Sequence, residues 1–184
     1  MTWQLVALEQ VAPQPWRNAS GLTRELLAWP TPADWRVRLS VADVRSSGPF
    51  SRFEGIERWF AVLDGDGVVL RFARHEYHLT TESDAFRFDG GLDVSCELVR
   101  GPTRDFNLMA TPGLARMQRV RGRSPFQVKA QALVAVYTDE ASAAVTCAGE
   151  TLSLPPYHLA WRLAPAGTQV DLRGDDALWL EAFT

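Results

Sequence analysis

The chain has 184 residues, of which 46% are hydrophobic and 22% are charged, and its formal net charge at pH 7 is −3. These values are typical of a globular protein with a sizeable core, and the acidic balance argues against general affinity for nucleic acid or anionic membranes. The sequence has neither a basic leader nor an apolar run near the roughly 20 residues of a membrane span, so we expect a cytoplasmic protein without a membrane partner.

The first predicted element is GLTRELLAW at residues 21–29, whose spacing of apolar residues suits a turn or two of helix. The next stretch, WRVRLSVADV at residues 35–44, alternates between apolar and polar residues. Leu39 falls on one face, and Arg38 and Ser40 fall on the other. This period of two predicts a half-buried strand.

Strands and tight turns fill the middle of the chain. Residues 58–72 indicate two strands joined at Asp64-Gly65-Asp66-Gly67, because Asp and Gly tolerate the positive φ of a hairpin turn. Residues 75–91 continue with short strands separated by turns, and residues 92–101 predict one more strand.

The segment RDFNLM, residues 104–109, allows two interpretations. In an extended chain Asp105 and Asn107 share one side, where they would suit the edge of a pocket. Asp and Asn also bond to their own backbone in turns. The sequence leaves both interpretations open.

The second half of the chain repeats the strand pattern. ATPGLARMQRV, residues 110–120, is the second stretch that suits a turn or two of helix. Strands at roughly ten-residue spacing follow at residues 126–138, 144–154, 157–164, 168–174 and 177–184. Short, evenly spaced strands with few helices predict an all-β protein built as a barrel or a sandwich.

A weak internal repeat in the sequence favours two similar β-units. The segments VLDGDGVVL (62–70) and VTCAGETLSL (145–154) each place a turn of small residues between strands. A basic stretch marked by Pro and Gly lies between them. We therefore predict a double barrel, with residues 1–115 in the first barrel and 116–184 in the second. The two would pack as one compact unit, and exchange of strands between them is left open.

The sequence contains no recognisable metal-binding, cofactor-binding or catalytic motif. The only histidines are His75, His78 and His158, and a spacing of three on a strand sends His75 and His78 to opposite faces. No zinc or iron pattern is complete, and no nucleophile or phosphate-loop motif occurs. Cys96 and Cys147 stand among small or apolar neighbours, so we expect both to be buried and reduced.

Arginine is the residue type that indicates a ligand. Four arginines in the first half lie beside small and aromatic residues, namely Arg17, Arg24, Arg38 and Arg58, and the planar guanidinium suits a carboxylate or a phosphate. An inward-facing arginine in a barrel needs an anionic partner, which is either an internal carboxylate or a ligand. Each arginine could instead be a solvated surface charge, and Glu25 could neutralise Arg24. The pattern is compatible with an anion-binding β-barrel.

Four segments resemble the HutD/Ves family of histidine-utilisation and stress-induced proteins. They span residues 16–109 in order: WRNASGLTREL, VRLSVADV, GPFSRFEGIERWFAVLDGDG and GPTRDFNLM. The resemblance implies a cupin-like double-stranded β-helix with two barrels in one chain, a bicupin. It agrees with the two-unit interpretation of the strand pattern.

The resemblance also implies a set of ligand-binding positions. In this sequence they are Trp16, Asn18, Thr23, Arg24, Arg38, Ser40, Ser51, Phe53, Arg58, Asp105 and Asn107. One of the three arginines would pair with a carboxylate, and Asn18 and Ser51 would supply neutral hydrogen bonds. Phe53 or Trp16 would pack on the flat or aliphatic part of the ligand.

The sequence departs from the related patterns at two places. Relatives tend to carry a glycine run where this chain has Ala19-Ser20-Gly21, which restricts φ in the loop. A metal-binding cupin would place His-x-His shortly before the hairpin, where this chain has Phe50-Ser51-Arg52-Phe53. Because arginine cannot ligate a cation, we expect the first barrel to be metal-free and to favour an anion.

The resemblance implies a protein that binds a small acidic metabolite similar to urocanate or formylglutamate and that modulates histidine utilisation or a stress response. The alternative is a metal-free isomerase or hydrolase that uses Glu25, Glu57 or Asp105 as acid or base. A third interpretation is a module that binds only proteins, and a homodimer is left open.

Overall fold

In the computed structural model, which describes residues 2–16 and 19–183, the regular secondary structure is almost entirely β-strand, as predicted. Within those residues there are seventeen strands and one short 3-10 helix, Leu8–Gln10, and no helix has the length and apolarity needed to cross a membrane. The strands are β1 (Gln4–Ala7), β2 (Gln14–Pro15), β3 (Gly21–Thr31), β4 (Asp34–Val44), β5 (Gly48–Pro49), β6 (Glu57–Asp64), β7 (Val68–Arg71), β8 (Glu76–Leu79), β9 (Phe86–Asp89), β10 (Ser95–Leu98), β11 (Thr103–Ala110), β12 (Ala115–Gln127), β13 (Ala132–Thr138), β14 (Ala143–Cys147), β15 (Glu150–Leu154), β16 (His158–Ala164) and β17 (Gln169–Phe183).

The chain divides into two compact units. Ala12–Gly113 forms the first, which we call the pocket unit. The second, the C-terminal unit, combines Met1–Val11 with Leu114–Thr184. The sequence placed the division between residues 115 and 116.

The N-terminal strand joins the C-terminal unit, whereas the sequence assigned it to the first barrel. β1 pairs antiparallel with β16, and Gln4 lies opposite Trp161. β16 pairs with β13 along its other edge. Without β1, β16 would be an open edge strand, and covering such an edge prevents unwanted pairing. This long-range pairing has no local signal in the sequence.

The pocket unit contains two antiparallel sheets. The larger has six strands in the order β2-β3-β4-β11-β6-β9, and the smaller has four in the order β5-β10-β7-β8. Buried residues from both sheets pack into one cluster, which includes Phe60 and Val62 of β6, Leu70 of β7 and Cys96 of β10. The inner faces of the two sheets therefore share one core.

The helix predicted at residues 21–29 is wrong, because these residues belong to β3. β3 pairs with β4 from Gly21 opposite Val44 to Thr31 opposite Asp34. A helix of this length is marginal in isolation. The ladder with β4 satisfies the backbone groups and places alternate side chains on the inner face.

The turn interpretation of residues 104–109 is also wrong. They lie within β11, which is paired on both sides, by β4 and by β6. Asp105 lies opposite Ala42, and Asn107 lies opposite Ser40. The two polar residues therefore stand on a central strand of the larger sheet.

The C-terminal unit is one sheet of seven strands in the order β1-β16-β13-β17-β14-β15, and β12 also pairs with β17. The helix predicted at residues 110–120 is wrong, because β12 begins at Ala115. Ala115 and Met117 are buried, while Arg116 points to the other side and bonds to Glu181 of β17. The period of two thus prevails over the short helical pattern.

Candidate functional site

A cavity of about 590 Å³ opens in the pocket unit. Its wall combines polar side chains with aromatic and aliphatic ones. The lining residues are Gln14, Pro15, Trp16, Thr23, Arg38, Ser40, Ala42, Val44, Pro49, Phe50, Ser51, Phe53, Arg58, Phe60, Asn107 and Met109. This size and this mixture are typical of small-molecule sites.

Most of the predicted ligand residues line this cavity. Those that do are Trp16, Thr23, Arg38, Ser40, Ser51, Phe53, Arg58 and Asn107. Arg24 and Asp105 do not, and Asn18 and the neighbouring Arg17 lie outside the described residues.

Strand register brings these distant residues together. Met109 of β11 lies opposite both Arg38 of β4 and Arg58 of β6. Two residues along each strand, in the next row on the same face, Asn107 lies opposite Ser40. Residues that face each other across antiparallel strands share one side of the sheet. Two adjacent rows of the larger sheet therefore form the polar part of the wall.

Arg58 is a buried cation without an acidic partner. Its residue exposure is 5%. Its Nη2 donates to Asn107 Oδ1 at 2.8 Å, its Nε has no hydrogen-bond partner, and no carboxylate of the described residues forms an ion pair with it. Burial, assisted by the nearby charge of Arg38, lowers the pKa of Arg58 to about 10. The side chain therefore stays protonated at neutral pH.

Aromatic rings surround the Arg58 guanidinium. Its central carbon lies 4.7 Å from the ring centroid of Phe50, 5.1 Å from that of Phe88 and 6.0 Å from that of Phe53. The faces of aromatic rings attract cations. They do not neutralise a full charge, so the guanidinium remains available to an anion.

Arg38, in contrast, already has a carboxylate partner. Its Nε donates to Glu25 Oε2 at 2.6 Å, and both side chains are about one-quarter exposed. Glu25 lies opposite Ser40 on β3, so it stands on the same face as the cavity rows. Its charge compensates that of Arg38.

Arg24 lies on the opposite face of β3 from Thr23 and does not line the cavity. Its Nη1 donates to Asp43 Oδ2 at 2.7 Å, and Asp43 also accepts a bond from Arg104 at 3.3 Å. The sequence offered Glu25 as a partner for Arg24, but the structure pairs Arg24 with Asp43.

The segment before β3 contributes Gln14, Pro15 and Trp16 to the cavity wall. Trp16 donates its indole N–H to Thr23 Oγ1 at 2.7 Å, which fixes the orientation of the ring. A Cβ on Gly21 would lie 2.7 Å from the Asp43 carbonyl oxygen, so this position requires glycine. Ala19 has a φ of 57°, the left-handed conformation that favours glycine. The backbone at Ala19 thus keeps a glycine-like conformation despite its side chain.

Asp105 lies on the same face of β11 as Asn107 and is fully buried. Thr103 Oγ1 donates to its Oδ2 at 2.9 Å, while its Oδ1 has no hydrogen-bond partner. Burial raises the pKa of Asp105 to about 8. At neutral pH this carboxyl is therefore mainly protonated. The neighbouring Cys96 thiol is buried as well, and burial raises its pKa to about 12.

The acid–base groups of the enzyme hypothesis lie outside the cavity wall. None of Glu25, Glu57 and Asp105 is among the lining residues. Within residues 2–16 and 19–183, no group of three or more His, Cys, Asp or Glu side chains is placed to hold a metal ion.

Sequence reasoning missed several apolar lining residues, although the period of two pointed to some of them. Phe60 follows Arg58 by two residues, and Met109 follows Asn107 by two. Ala42 and Val44 continue the face of Ser40 in the same way. Phe50 had no such signal, because it precedes a segment without regular structure.

Comparison with known proteins identifies relatives along most of the chain. The family model HutD matches residues 8–180. An uncharacterized 21.2 kDa protein in the hutC 3′ region of Pseudomonas putida is 36% identical over 130 residues, which cover 65% of this chain and 62% of that protein. Protein Ves of Escherichia fergusonii is 34% identical over 96 residues, which cover 51% and 50%. The matches thus span about half to three-fifths of these curated relatives.

Two solved structures match the whole fold. HutD from Pseudomonas fluorescens SBW25 (formate condition) has a TM-score of 0.84 at 30% identity, covering 99% of this chain and 98% of that one. A conserved protein of unknown function from Pseudomonas aeruginosa PAO1 has a TM-score of 0.88 at 28% identity, covering 100% of both.

More distant structures identify the type of fold. A cupin 2 conserved barrel domain protein from Leptotrichia buccalis has a TM-score of 0.56 at 10% identity, covering 98% of this chain and 96% of that one. The fold is therefore cupin-like. The family match and the solved relatives confirm the resemblance found in the sequence, and the chain belongs to the HutD family.

Proposed function

We propose that this protein is a cytoplasmic, metal-independent bicupin that binds a small carboxylate in the cavity of the pocket unit. In this proposal binding serves to modulate histidine utilisation or a stress response. One observation carries the ligand assignment: Arg58 is a protonated, buried guanidinium in the cavity wall without an acidic partner.

An unpaired buried cation is unfavourable, because its lost hydration is not replaced. The other two candidate arginines avoid this situation, since Arg24 bonds to Asp43 and Arg38 bonds to Glu25. A ligand carboxylate at Arg58 would supply the missing charge through charge-assisted hydrogen bonds. The bond from Arg58 to Asn107 holds one side of the guanidinium in place. A pre-oriented donor loses less entropy when the ligand binds.

The biological role in the proposal comes from the relatives. A family member of known structure is named HutD, and the relative from Pseudomonas putida lies in the hutC 3′ region. The relative from Escherichia fergusonii is named Ves. We extend the histidine-utilisation role to this chain on that basis, with urocanate-like or formylglutamate-like carboxylates as candidate ligands.

The two-barrel part of the proposal is supported by the separate cores. Cys96 belongs to the apolar cluster of the pocket unit, and Cys147 belongs to that of the C-terminal unit. Each unit also has buried arginine on its strands, Arg58 in the first and both Arg119 and Arg162 in the second. A separate apolar cluster in each unit is what a chain of two barrels would have.

Thermal unfolding with a panel of carboxylates tests the function. Ligand at about 100 times its Kd stabilises the folded state by about 2.7 kcal/mol, which is several degrees in Tm for a chain of this size. We expect Arg58→Gln to abolish the shift. Arg24→Gln is the matched control, because it removes an arginine from the face opposite the cavity, and it should keep the shift.

Two results would contradict the proposal. One is the absence of any shift with millimolar carboxylates, histidine-pathway acids included. The other is a full shift in Arg58→Gln.

A further inference from the structure

Two parts of the cavity wall that lie apart on the larger sheet carry different chemistry. In one part the Arg58 guanidinium bonds to Asn107 of β11. In the other the Trp16 indole bonds to Thr23 of β3. β4 lies between β3 and β11, so two strand spacings, or about 10 Å, separate the two strands to which these side chains bond. A ligand whose carboxylate binds Arg58 therefore needs an extended body to contact Trp16.

Contacts with Gly21 and Thr23 hold the Trp16 ring in its place. The indole Nε1 donates to Thr23 Oγ1 at 2.7 Å. The backbone N–H of Trp16 donates to the Gly21 carbonyl oxygen at 2.9 Å. A Cβ on Gly21 would lie 3.2 Å from the ring atoms Cδ2 and Cε3 of Trp16, so the ring packs closely on the glycine. These contacts fix both the backbone and the ring of Trp16.

The bond to Thr23 determines what Trp16 offers to a ligand. An indole has a single N–H donor and no acceptor, and Thr23 accepts from that donor. The rest of the ring is an apolar surface that packs on flat or aliphatic groups. Trp16 therefore contributes packing to a ligand instead of a hydrogen bond. Conjugated and aliphatic bodies both benefit from this packing when they extend far enough from the carboxylate.

We propose that Trp16 is the specificity-determining residue of the cavity, because it contacts the end of the ligand remote from the carboxylate, and that Thr23 is the positioning residue that holds its ring. The favoured ligands are carboxylates whose body extends from Arg58 to Trp16. Short carboxylates bind at Arg58 without this contribution. The inference rests on the carboxylate-binding function proposed above, and it specifies how the site distinguishes long ligands from short ones.

Urocanate and acetate separate the two parts of the wall, because both carry a carboxylate for Arg58 and only urocanate has an extended body. Isothermal titration of the full chain at pH 7 measures the Kd of urocanate, and competition at constant ionic strength measures that of acetate. We expect Trp16→Ala to weaken urocanate binding about tenfold and to leave the Kd of acetate unchanged. Trp59→Ala is the matched control, since the Trp59 indole also donates to a side chain, Glu57 at 3.2 Å, on the face of β6 opposite Arg58. It should change neither Kd.

Substitutions of Thr23 test the positioning role. Thr23→Val keeps the shape of the side chain but removes the acceptor of the indole N–H, so we expect urocanate to bind several-fold more weakly and acetate to bind as before. Thr23→Ser keeps the acceptor and should restore the urocanate affinity. Trp16→Phe has no indole N–H, so adding Thr23→Val to it should have no further effect on the Kd of urocanate.

The outcomes separate the specificity from the function itself. If urocanate binds Trp16→Ala as tightly as it binds the unmodified protein, or if this variant weakens acetate and urocanate equally, the specificity role of Trp16 is wrong and carboxylate binding stands. A loss in Thr23→Val that persists in the Trp16→Phe background contradicts the positioning role of Thr23. If urocanate, formylglutamate and acetate all fail to bind at millimolar concentration, the proposed function is wrong and the inference falls with it.

Discussion

The buried carboxyl of Asp105 makes the stability of this protein depend on pH in a specific direction. In the folded state its pKa is raised to about 8 from an ordinary value of 3.8, because burial disfavours the charged form. Between these two values the folded state holds a proton that the unfolded state has lost. The contribution of Asp105 is therefore fully present below the unfolded pKa and is lost as the pH rises towards the folded pKa.

The magnitude follows from proton linkage. One proton of difference lowers the free energy of unfolding by about 1.4 kcal/mol for each pH unit. Over a window of about four pH units the loss approaches 5 kcal/mol, which is a large share of the stability of an ordinary domain. Asp105→Asn removes the titration while keeping an oxygen that can accept the bond from Thr103.

Denaturant unfolding of both proteins at pH 4.5, 6 and 7.5 measures the effect. The difference in unfolding free energy between Asp105→Asn and the unmodified chain cancels the other titrating groups. We expect this difference to be small at pH 4.5 and to favour the variant by several kcal/mol at pH 7.5. A difference that stays constant across this range would refute the assignment of a raised pKa to Asp105.

Two further substitutions test other parts of the account. Arg162 in the C-terminal unit is buried beneath the Trp3 ring, at 5.6 Å, and its Nε and Nη1 have no hydrogen-bond partners. Arg162→Met should therefore leave the Tm unchanged or raise it, and it should not alter carboxylate binding. A fall of more than about 2 kcal/mol in the free energy of unfolding would contradict this expectation, because it would show that the fold needs this cation. Gly21→Ala should destabilise the protein by about 1–3 kcal/mol, because the new Cβ would lie 2.7 Å from the Asp43 carbonyl oxygen; unchanged urea unfolding would contradict the close approach.

The strand pattern of the fold was predictable because burial on one face leaves a period of two. Residues 35–44 show it in β4, where Leu39 and Val41 are fully buried and Arg38 and Ser40 face the cavity. In a short stretch the spacing of apolar residues can fit either a helix or a strand, and both helix predictions were wrong for that reason. Residues 21–29 extend because β4 lies beside them, which is a property of the assembled sheet.

Most of the candidate ligand residues named from the sequence line one cavity, but the sequence did not separate their roles. The sequence nominated Arg24, Arg38 and Arg58 equally. Their differences come from long-range pairing, since Asp43 and Glu25 reach Arg24 and Arg38 across strands, and no carboxylate of the described residues pairs with Arg58. Strand parity places Arg24 on the wrong face for the cavity once β3 is known to be a strand.

No sequence motif encodes which charged side chains of the pocket unit compensate one another. Glu25 and Arg38 are 13 positions apart, and their bond forms because β3 and β4 are antiparallel neighbours. The neutrality of Asp105 depends on complete burial. Both features require coordinates.

A crystal structure with urocanate tests the central claim most directly. The account predicts that the ligand carboxylate lies within about 3 Å of an Arg58 nitrogen, with its ring against the aromatic wall. A ligand bound elsewhere, or one whose carboxylate contacts Arg38 while Arg58 remains unpaired, would contradict the claim that Arg58 is the anion-binding residue of this protein.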